Sequence, residues 1–445
     1  MIPFVDKISR SVQKQSYILA AILLLALTLR LLVFRQIVEN PQRAMLSDSF
    51  GYEELAIGLL QRGEFDNVLR TPAYPAFIAS IYAVFGTERL PVLLAQIVLD
   101  CASIVLIFRL AGRQHKQAWL PALLWAANPA AIVYANRIMS ETPFVFFLLA
   151  MAYMVSRFLA GSRMRDSVFA GLLLGLATLT RPVAQYMILI LLVYILIIFH
   201  KDKKKVLHIV LSLTAGFALI ITPWMLRNKI THHRFIISTT GEFNLFARFA
   251  AYTLDWRDGM QLPQAEQNLM QQVSTQLGYD ISASDFYRDA AIQGQLEEKA
   301  IDVLLENWPW FIISTVQGVA LTLILPPVGM GEMQKLFSAD HAVDEFKLYT
   351  LKTNPADIGY VRLIRVLQNR LAGMPVSVIA IWSWSVLYLI FFYVYVLYRF
   401  YIDKSGTPWA SCLFLALGLY LITIPGPMGL ARFRLVAEPL LLAGK

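Results

Sequence analysis

Apolar runs of about twenty residues recur along the chain, separated by short polar or basic segments. A helical run of this length matches the hydrocarbon thickness of a bilayer, whereas the alternating strands of a membrane barrel are not found. We therefore predict an all-α polytopic membrane protein with roughly 10–13 transmembrane helices. The predicted apolar segments are residues 17–37, 90–110, 118–134, 142–159, 168–180, 185–199, 207–226, 309–325, 376–397 and 409–424.

Basic residues indicate which ends of these segments face the cytoplasm. Lys7, Arg10 and Lys14 precede the first segment, and "HKDKKK" occupies residues 200–205. By the positive-inside rule, the stretch "SDSFGYEELA" at residues 47–56 emerges on the opposite face. There we predict amphipathic helices over 52–61 and 74–85. We expect a multi-pass protein of the inner or plasma membrane whose active site faces the periplasm or outside.

The composition supports this assignment, since 57% of the residues are hydrophobic and only 16% are charged. The net charge of +9 is concentrated in short loops, which favours contact with anionic lipid and not with nucleic acid. We predict a transmembrane catalytic module over 1–226 that includes outer loop one (38–89), a small helical outer subdomain over 227–308, and a C-terminal transmembrane region over 309–445. The last apolar run is too short to span, so our interpretation is that the sequence ends inside a helix. We place the amphipathic stretch 359–373 on the outer side.

Charged residues gather at the predicted outer ends of the spans. Charges at this depth are costly unless they are paired or line a wet cavity. Arginines outnumber carboxylates here, and the guanidinium fork suits phosphate oxygens. We therefore predict a lipid-phosphate site on the outer face. Its candidate residues are Asp48, Arg70, Glu141, Arg181, Arg432 and Arg434.

Two of the motifs have alternative interpretations. The prolines of "RTPAYP" predict an extended segment that fixes Arg70 and the Tyr74 hydroxyl ahead of a helix starting at residue 76; alternatively, Arg70 snorkels to headgroups. In "ARFR", Arg432 and Arg434 point to opposite sides of a helix and share one ligand only if the backbone is extended, which the preceding "PGPMG" allows. Alternatively, Arg434 pairs with Glu438 one turn on.

The remaining charged residues have simpler interpretations beside the functional one. Glu141 is suited to complement a helix dipole, with Ser140 as the N-cap. Arg181 is suited to anchor a tight hairpin at the membrane surface. We expect Glu53 and Glu54 to be solvated on the polar side of an amphipathic helix.

Several motifs together resemble one family. Their order and spacing are similar to those of the GT-C glycosyltransferases, in the branch of the lipid A aminoarabinose transferases and protein O-mannosyltransferases. The motifs are "SDSFGYEELA", "RTPAYPAFIASIYAVFG", "NPAAIVYANRIMSE", "GLLLGLATLTRP", "TPWMLRN" and "ARFRLVAEPLLL".

This resemblance implies roles for individual residues. The family's loop-one aspartate, taken as the general base, matches Asp48. Its basic residues near the loop-one proline motif and in the last spans hold the donor phosphate, and they match Arg70 and more loosely Arg432 and Arg434. We add Arg181 to the phosphate ligands. We expect Tyr52, Tyr74, Glu141 and Asn244 to bind substrate.

One departure concerns cofactors. Some members carry a second acidic residue beside the loop-one aspartate, whereas Ser49 follows Asp48 here. No metal ligand is predicted, and no cofactor is certain, although a divalent metal stays open.

The resemblance implies transfer of a sugar from a polyprenyl-phosphate donor to a lipid or glycan acceptor, with a protein acceptor less favoured. Membrane lipids are the other expected partners. The alternatives are a polymerase or ligase acting on lipid-linked oligosaccharides, and a flippase or transporter of lipid-linked sugars. Inversion at the anomeric carbon is expected if Asp48 deprotonates the acceptor opposite the phosphate.

Overall fold

The computed structural model describes residues 2–112, 118–161, 163–259, 262–278, 290–326, 328, 376–401 and 408–443, and these residues form helices and connecting turns without strands. The helices are α1 (Ile2–Glu39), α2 (Ser47–Arg62), α3 (Ala73–Phe85), α4 (Arg89–Gly112), α5 (Trp119–Ala126), α6 (Pro129–Tyr134), α7 (Glu141–Gly161), α8 (Met164–Thr180), α9 (Met187–Phe199), α10 (Lys203–His232), α11 (Thr240–Asn244), α12 (Ala251–Asp258), α13 (Leu262–Leu277), α14 (Ala290–Glu306), α15 (Trp308–Ile324), α16 (Val376–Tyr401), α17 (Pro408–Thr423), α18 (Ala431–Leu435) and α19 (Glu438–Ala443).

Six helical segments among the described residues are long and apolar enough to cross a bilayer. They are α1 from Gln13, α4, α7, the segment Pro182–Phe199, α10, and α16 from Val378 to Arg399. Shorter apolar helices are α3, α15 and the part of α17 from Cys412. The prediction of an all-α polytopic membrane protein is confirmed.

One large apolar core contains residues of α1, of the helices from α4 through α10, and of α16, α17 and α19. Within it, α8 and α10 cross at backbone contact, because glycines occupy the crossing. A Cβ atom on Gly171 would overlap the carbonyl oxygen of Leu213, and one on Gly216 would overlap that of Val168. This close crossing fixes α8, whose C-terminal end carries a candidate site residue.

A smaller apolar core lies between residues 246 and 303. It joins the π-helical turn Leu245–Ala250 to α12, α13 and α14, with Phe246 and Leu296 almost fully buried. This cluster falls within the predicted subdomain 227–308. The boundaries of the three predicted regions stay predictions, and the amphipathic stretch 359–373 lies outside the described residues.

The segment 118–134 was predicted as one continuous span, but the structure divides it into two helices. It breaks at Asn128, whose backbone is extended (φ −66°, ψ 116°). The side-chain oxygen of Asn128 accepts hydrogen bonds from the backbone amides of Ala130 and Ala131. Because the residue before a proline avoids helical angles, "NP" ends α5 and starts α6.

Two segments have helical backbone: for the first, an extended conformation was predicted and is wrong, and for the second, the extended and helical forms were both left open. The helix α3 begins at Ala73, so Tyr74 and Pro75 lie in its first turn and not in an extended segment. A proline fits there because the first helical N–H groups have no intrahelical partner. Likewise, α18 spans Ala431–Leu435, so "ARFR" is helical and not extended.

Glu53 is not a solvated charge. Its two carboxylate oxygens accept from Arg89 Nε and Nη2, both at 2.7 Å, and Tyr82 Oη donates to it at 2.8 Å. This pairing ties α2 to α3 and α4. Glu54, by contrast, is exposed, as predicted.

Candidate active site

The site centres on Asp48, which lies in the first turn of α2 with 35% of its side chain exposed. Arg70 Nη2 donates to Asp48 Oδ1 at 3.2 Å. Arg432 Nη1, 384 residues further along the chain, donates to Asp48 Oδ2 at 3.4 Å. Two candidate arginines therefore meet one carboxylate, each on a different oxygen.

The loop before α3 fixes the position of Arg70. The Arg70 backbone amide donates to Asn67 Oδ1 at 2.7 Å, and the preceding carbonyl, of Leu69, accepts from the Thr240 hydroxyl. The guanidinium lies over the ring of Tyr52, 4.3 Å from its centroid, which is a cation–π distance. Gly51 leaves room for this crossing, since a Cβ there would lie 3.2 Å from Arg70 Nε.

Arg432 follows a glycine-rich turn that packs against α15. Gly426 and Gly429 have φ values of 56° and 57°, which side chains other than glycine rarely adopt. A Cβ on Gly429 would lie 3.1 Å from the Cα of Gly318 in α15. The turn therefore approaches α15 at backbone distance and directs α18, with Arg432, toward Asp48.

Arg434 does not join this cluster. It is fully buried. Residues two apart in a helix face nearly opposite sides, so Arg434 and Arg432 point in different directions. Arg434 Nε donates to Glu438 Oε1 at 2.8 Å, so the structure has the helical pairing that the sequence left as an alternative. Its other donors bind the last carbonyls of α15.

Arg181 and Glu141 form an ion pair beside the cluster. Arg181 Nη1 lies 2.7 Å from Glu141 Oε1, and the Glu141 side chain is only 1% exposed. The Ser140 hydroxyl, for which an N-cap role was one interpretation, has other partners. It accepts from Arg181 Nη1 at 3.2 Å and lies 3.2 Å from Tyr52 Oη. Ser140 thus links Arg181 to the ring that supports Arg70.

The other predicted substrate ligands lie differently. Tyr74 is fully buried, and its hydroxyl donates to Gln96 Oε1 at 2.7 Å. Its ring packs edge-on against Tyr52, 4.9 Å between centroids. Asn244 ends α11 and is half-buried, and the contacts of the Asp48 cluster do not include it. Substrate binding by these residues stays a prediction.

The site contains three guanidinium groups and two carboxylates, so its net charge is positive. Burial acts to raise the pKa of Asp48, but the charges of Arg432 and Arg70, the hydrogen bond from Arg70 and the charge of Arg181 outweigh it and hold the pKa below its ordinary value of 3.8. Asp48 is therefore an ionised carboxylate at neutral pH. The helix α2 adds to this effect, since its N-terminus favours a negative charge.

Ser49, which stands where some family members carry a second acid, has a structural task. It is fully buried, and its hydroxyl accepts from the Leu46 backbone amide at 2.9 Å. Within the described part of the chain, no group of three or more His, Cys, Asp or Glu side chains is placed to hold a metal ion.

One buried ion pair within the predicted spans was not predicted from the sequence. Arg30 Nε donates to Asp100 Oδ2 at 2.5 Å, and Trp125 Nε1 donates to Asp100 Oδ1 at 3.1 Å. Both charges lie inside long apolar runs, which is the signal that would have found them. The bridging role of Ser140 had no comparable signal.

Comparison with known proteins gives one family match. Residues 70–226 match the family model described as dolichyl-phosphate-mannose-protein mannosyltransferase. This region includes Arg70, Glu141 and Arg181 but neither Asp48 nor Arg432. A search of curated proteins finds no match.

Two solved structures align with most of this chain at low sequence identity. The archaeal oligosaccharyltransferase AglB from Archaeoglobus fulgidus, in complex with an inhibitory peptide and a dolichol-phosphate, aligns with 14% identity and a TM-score of 0.47, over 96% of this chain and 50% of that chain. ArnT from Cupriavidus metallidurans, bound to undecaprenyl phosphate, aligns with 16% identity and a TM-score of 0.41, over 95% of this chain and 76% of that chain. The chain thus spans about half the length of AglB. The family match over residues 70–226 confirms the predicted resemblance to the GT-C glycosyltransferases, in the branch that includes the protein O-mannosyltransferases.

Proposed function

We propose that this protein is a membrane glycosyltransferase that transfers a sugar from a polyprenyl-phosphate donor to an acceptor on the outer face of the membrane. The observation that carries the proposal is the position of Asp48, a partly exposed carboxylate held between Arg70 and Arg432. The family matched by residues 70–226 is described as using dolichyl-phosphate-mannose, which supports a polyprenyl-phosphate sugar as the donor class.

Arg70, Arg432 and Arg181 are the proposed ligands of the donor phosphate. Guanidinium groups form short, charge-assisted hydrogen bonds with phosphate oxygens. Donors fixed around the leaving phosphate also stabilise the charge that develops on it during transfer. We leave Arg434 out of this set, because its donors already bind Glu438 and the carbonyls of α15.

Tyr52 and Glu141 are proposed to act mainly through these arginines. Tyr52 supports Arg70 by its ring, and Glu141 holds Arg181. Neither side chain needs to reach the sugar for this role. The loss of either side chain would nevertheless alter the phosphate site.

The proposed reaction uses Asp48 as the general base. The bond between the anomeric carbon and the phosphate oxygen breaks, and a bond forms from that carbon to the acceptor oxygen or nitrogen. The acceptor proton passes to Asp48 and then to water, and the bonding electrons leave with the polyprenyl phosphate. Because its charge is stabilised by the arginines, the leaving group needs no general acid. Attack opposite the phosphate inverts the anomeric configuration.

Replacing Asp48 by asparagine tests this proposal. Asn keeps the size of the side chain but cannot accept the acceptor proton, so transfer should fall by about a hundredfold or more. Lipid mass spectrometry of membranes that contain the Asp48→Asn variant should reveal accumulated polyprenyl-phosphate monosaccharide. The Glu54→Gln variant is the matched control, because it removes an exposed charge from the same helix.

Two outcomes contradict the proposal. Normal turnover by purified Asp48→Asn protein would remove Asp48 as the base. Accumulation of a lipid-linked oligosaccharide in place of the monosaccharide would favour the polymerase or ligase alternative. The missing glycoconjugate in the same membranes would identify the acceptor.

A further inference from the structure

The contacts of Asp48 differ from the other ion pairs of the outer region. Arg70 and Arg432 reach its two oxygens at 3.2 and 3.4 Å, and all three side chains are 22–35% exposed. The Glu53–Arg89 pair is tighter, at 2.7 Å, with at most 19% exposure. The guanidinium groups on Asp48 are therefore held more loosely than that of Arg89.

A carboxylate bound in this way resembles a phosphate group chemically. Both present oxygens at the corner of a trigonal or tetrahedral centre, and both bind guanidinium groups through separate oxygens. Asp48 engages Arg70 through Oδ1 and Arg432 through Oδ2. It thus binds the same two arginines that the proposed function assigns to the donor phosphate.

We infer that Asp48 competes with the donor phosphate for Arg70 and Arg432, and that it gives up both arginines to the polyprenyl phosphate when the donor binds. This inference rests on the proposed function. No large rearrangement is required, since the exchange involves only the ends of three partly exposed side chains. Arg181 keeps its ion pair with Glu141 while it contributes to the phosphate site, because that pair is shorter, at 2.7 Å, and its carboxylate is buried.

The exchange has a consequence for the base. While it pairs with two guanidinium groups, Asp48 is ionised but weakly basic, because its pKa is held low. Once the phosphate takes the arginines, the carboxylate loses their stabilisation, and burial then acts to raise its pKa. A stronger base is the better proton acceptor at neutral pH. Asp48 therefore becomes an effective base only after the donor is in place.

The same competition acts after transfer. The product polyprenyl phosphate carries more negative charge than the donor, so it binds the arginines more strongly. When Asp48 has passed its proton to water, it is again a carboxylate and competes for Arg70 and Arg432. This competition favours release of the spent lipid carrier.

The test measures the affinity of the full chain in lipid nanodiscs for undecaprenyl phosphate. Removing the competing carboxylate in Asp48→Asn and Asp48→Ala should tighten binding by roughly three- to tenfold, as expected for the loss of two partly exposed ion pairs. Glu54→Gln controls for the loss of one negative charge from α2 and should bind like the wild type. Melting temperatures establish that each variant is folded.

The outcomes separate this inference from the proposed function. If Arg70→Ala and Arg432→Ala weaken binding but both Asp48 variants bind no more tightly than the wild type, the exchange is refuted and the phosphate site stands. An equal gain in Glu54→Gln would also refute it, because the effect would then be one of net charge. If the two arginine variants bind like the wild type, the proposed phosphate site itself fails.

Discussion

Arg432 and Arg434 are two residues apart in α18, yet the structure gives them opposite environments, and replacing each by alanine tests this difference. Arg434 is fully buried. Its guanidinium binds four oxygens at 2.7–2.9 Å, namely Glu438 Oε1 and the backbone carbonyls of Thr322, Leu323 and Leu325. Arg432 is 29% exposed and binds Asp48 at 3.4 Å.

The expected magnitudes follow from burial. The Arg434→Ala change leaves the 1% exposed carboxylate of Glu438 without its cation and three carbonyls at the end of α15 without their donor. Breaking a buried ion pair in this way costs about 3–5 kcal/mol. Arg432→Ala removes a partly exposed pair worth about 0.2–1 kcal/mol. Since proteins are stable by only about 5–15 kcal/mol, the first change should be severe and the second mild.

Two measurements on detergent-purified variants distinguish the roles. Arg434→Ala should melt far below the wild type or fail to yield folded protein. Arg432→Ala should melt close to the wild type but bind undecaprenyl phosphate more weakly. An Arg434→Ala protein that melts like the wild type and has lost phosphate binding would refute the structural assignment and return Arg434 to the site.

Three further predictions concern packing, the position of the site arginine, and pH. Gly171→Ala should destabilise the protein by about 1–3 kcal/mol, because its Cβ would overlap the backbone of α10, whereas Gly161→Ala, which has open space, should not; equal melting temperatures would contradict the close crossing. Gly51→Val should weaken undecaprenyl phosphate binding at unchanged melting temperature, since the added side chain would displace the end of the Arg70 side chain where it crosses α2. Unchanged affinity would argue against this positioning of Arg70. Burial acts to raise the pKa of Glu53, but hydrogen bonds from Arg89 and Tyr82 lower it below the ordinary 4.5. Its pairing therefore stabilises the fold above pH 4.5 and is lost as the pH falls through the lower folded value, so the gap in melting temperature between wild type and Glu53→Gln should close in acid; a constant gap would refute this.

Much of the helical architecture could be predicted because the bilayer restricts what an apolar run can form. The run predicted over 90–110 is α4, Arg89–Gly112, since backbone groups in hydrocarbon must be satisfied within the helix. The break at Asn128 was missed although its signal, an Asn-Pro pair, is local. Hydrophobicity was given more weight than the turn chemistry.

The candidate site was predictable only in outline. Charged residues at the outer ends of spans are few, so Asp48, Arg70 and Arg432 could be grouped from the sequence alone. Of the two interpretations left open for "ARFR", the structure has the helical one with the Arg434–Glu438 pair, and not the extended backbone that sharing one ligand would require. Periodicity establishes that the two side chains diverge, but it does not say which one faces the site.

The sequence by itself determined which segments are helical and apolar and which rare charges lie at their ends, because these properties depend on neighbouring residues and on the lipid solvent. Only the tertiary structure decided the partners. Asp48 meets an arginine 384 residues away, Glu53 takes Arg89 in place of water, and Arg434 closes the end of α15. Such pairs depend on how helices distant in sequence cross and rotate against one another, and that is set by packing over the whole bundle.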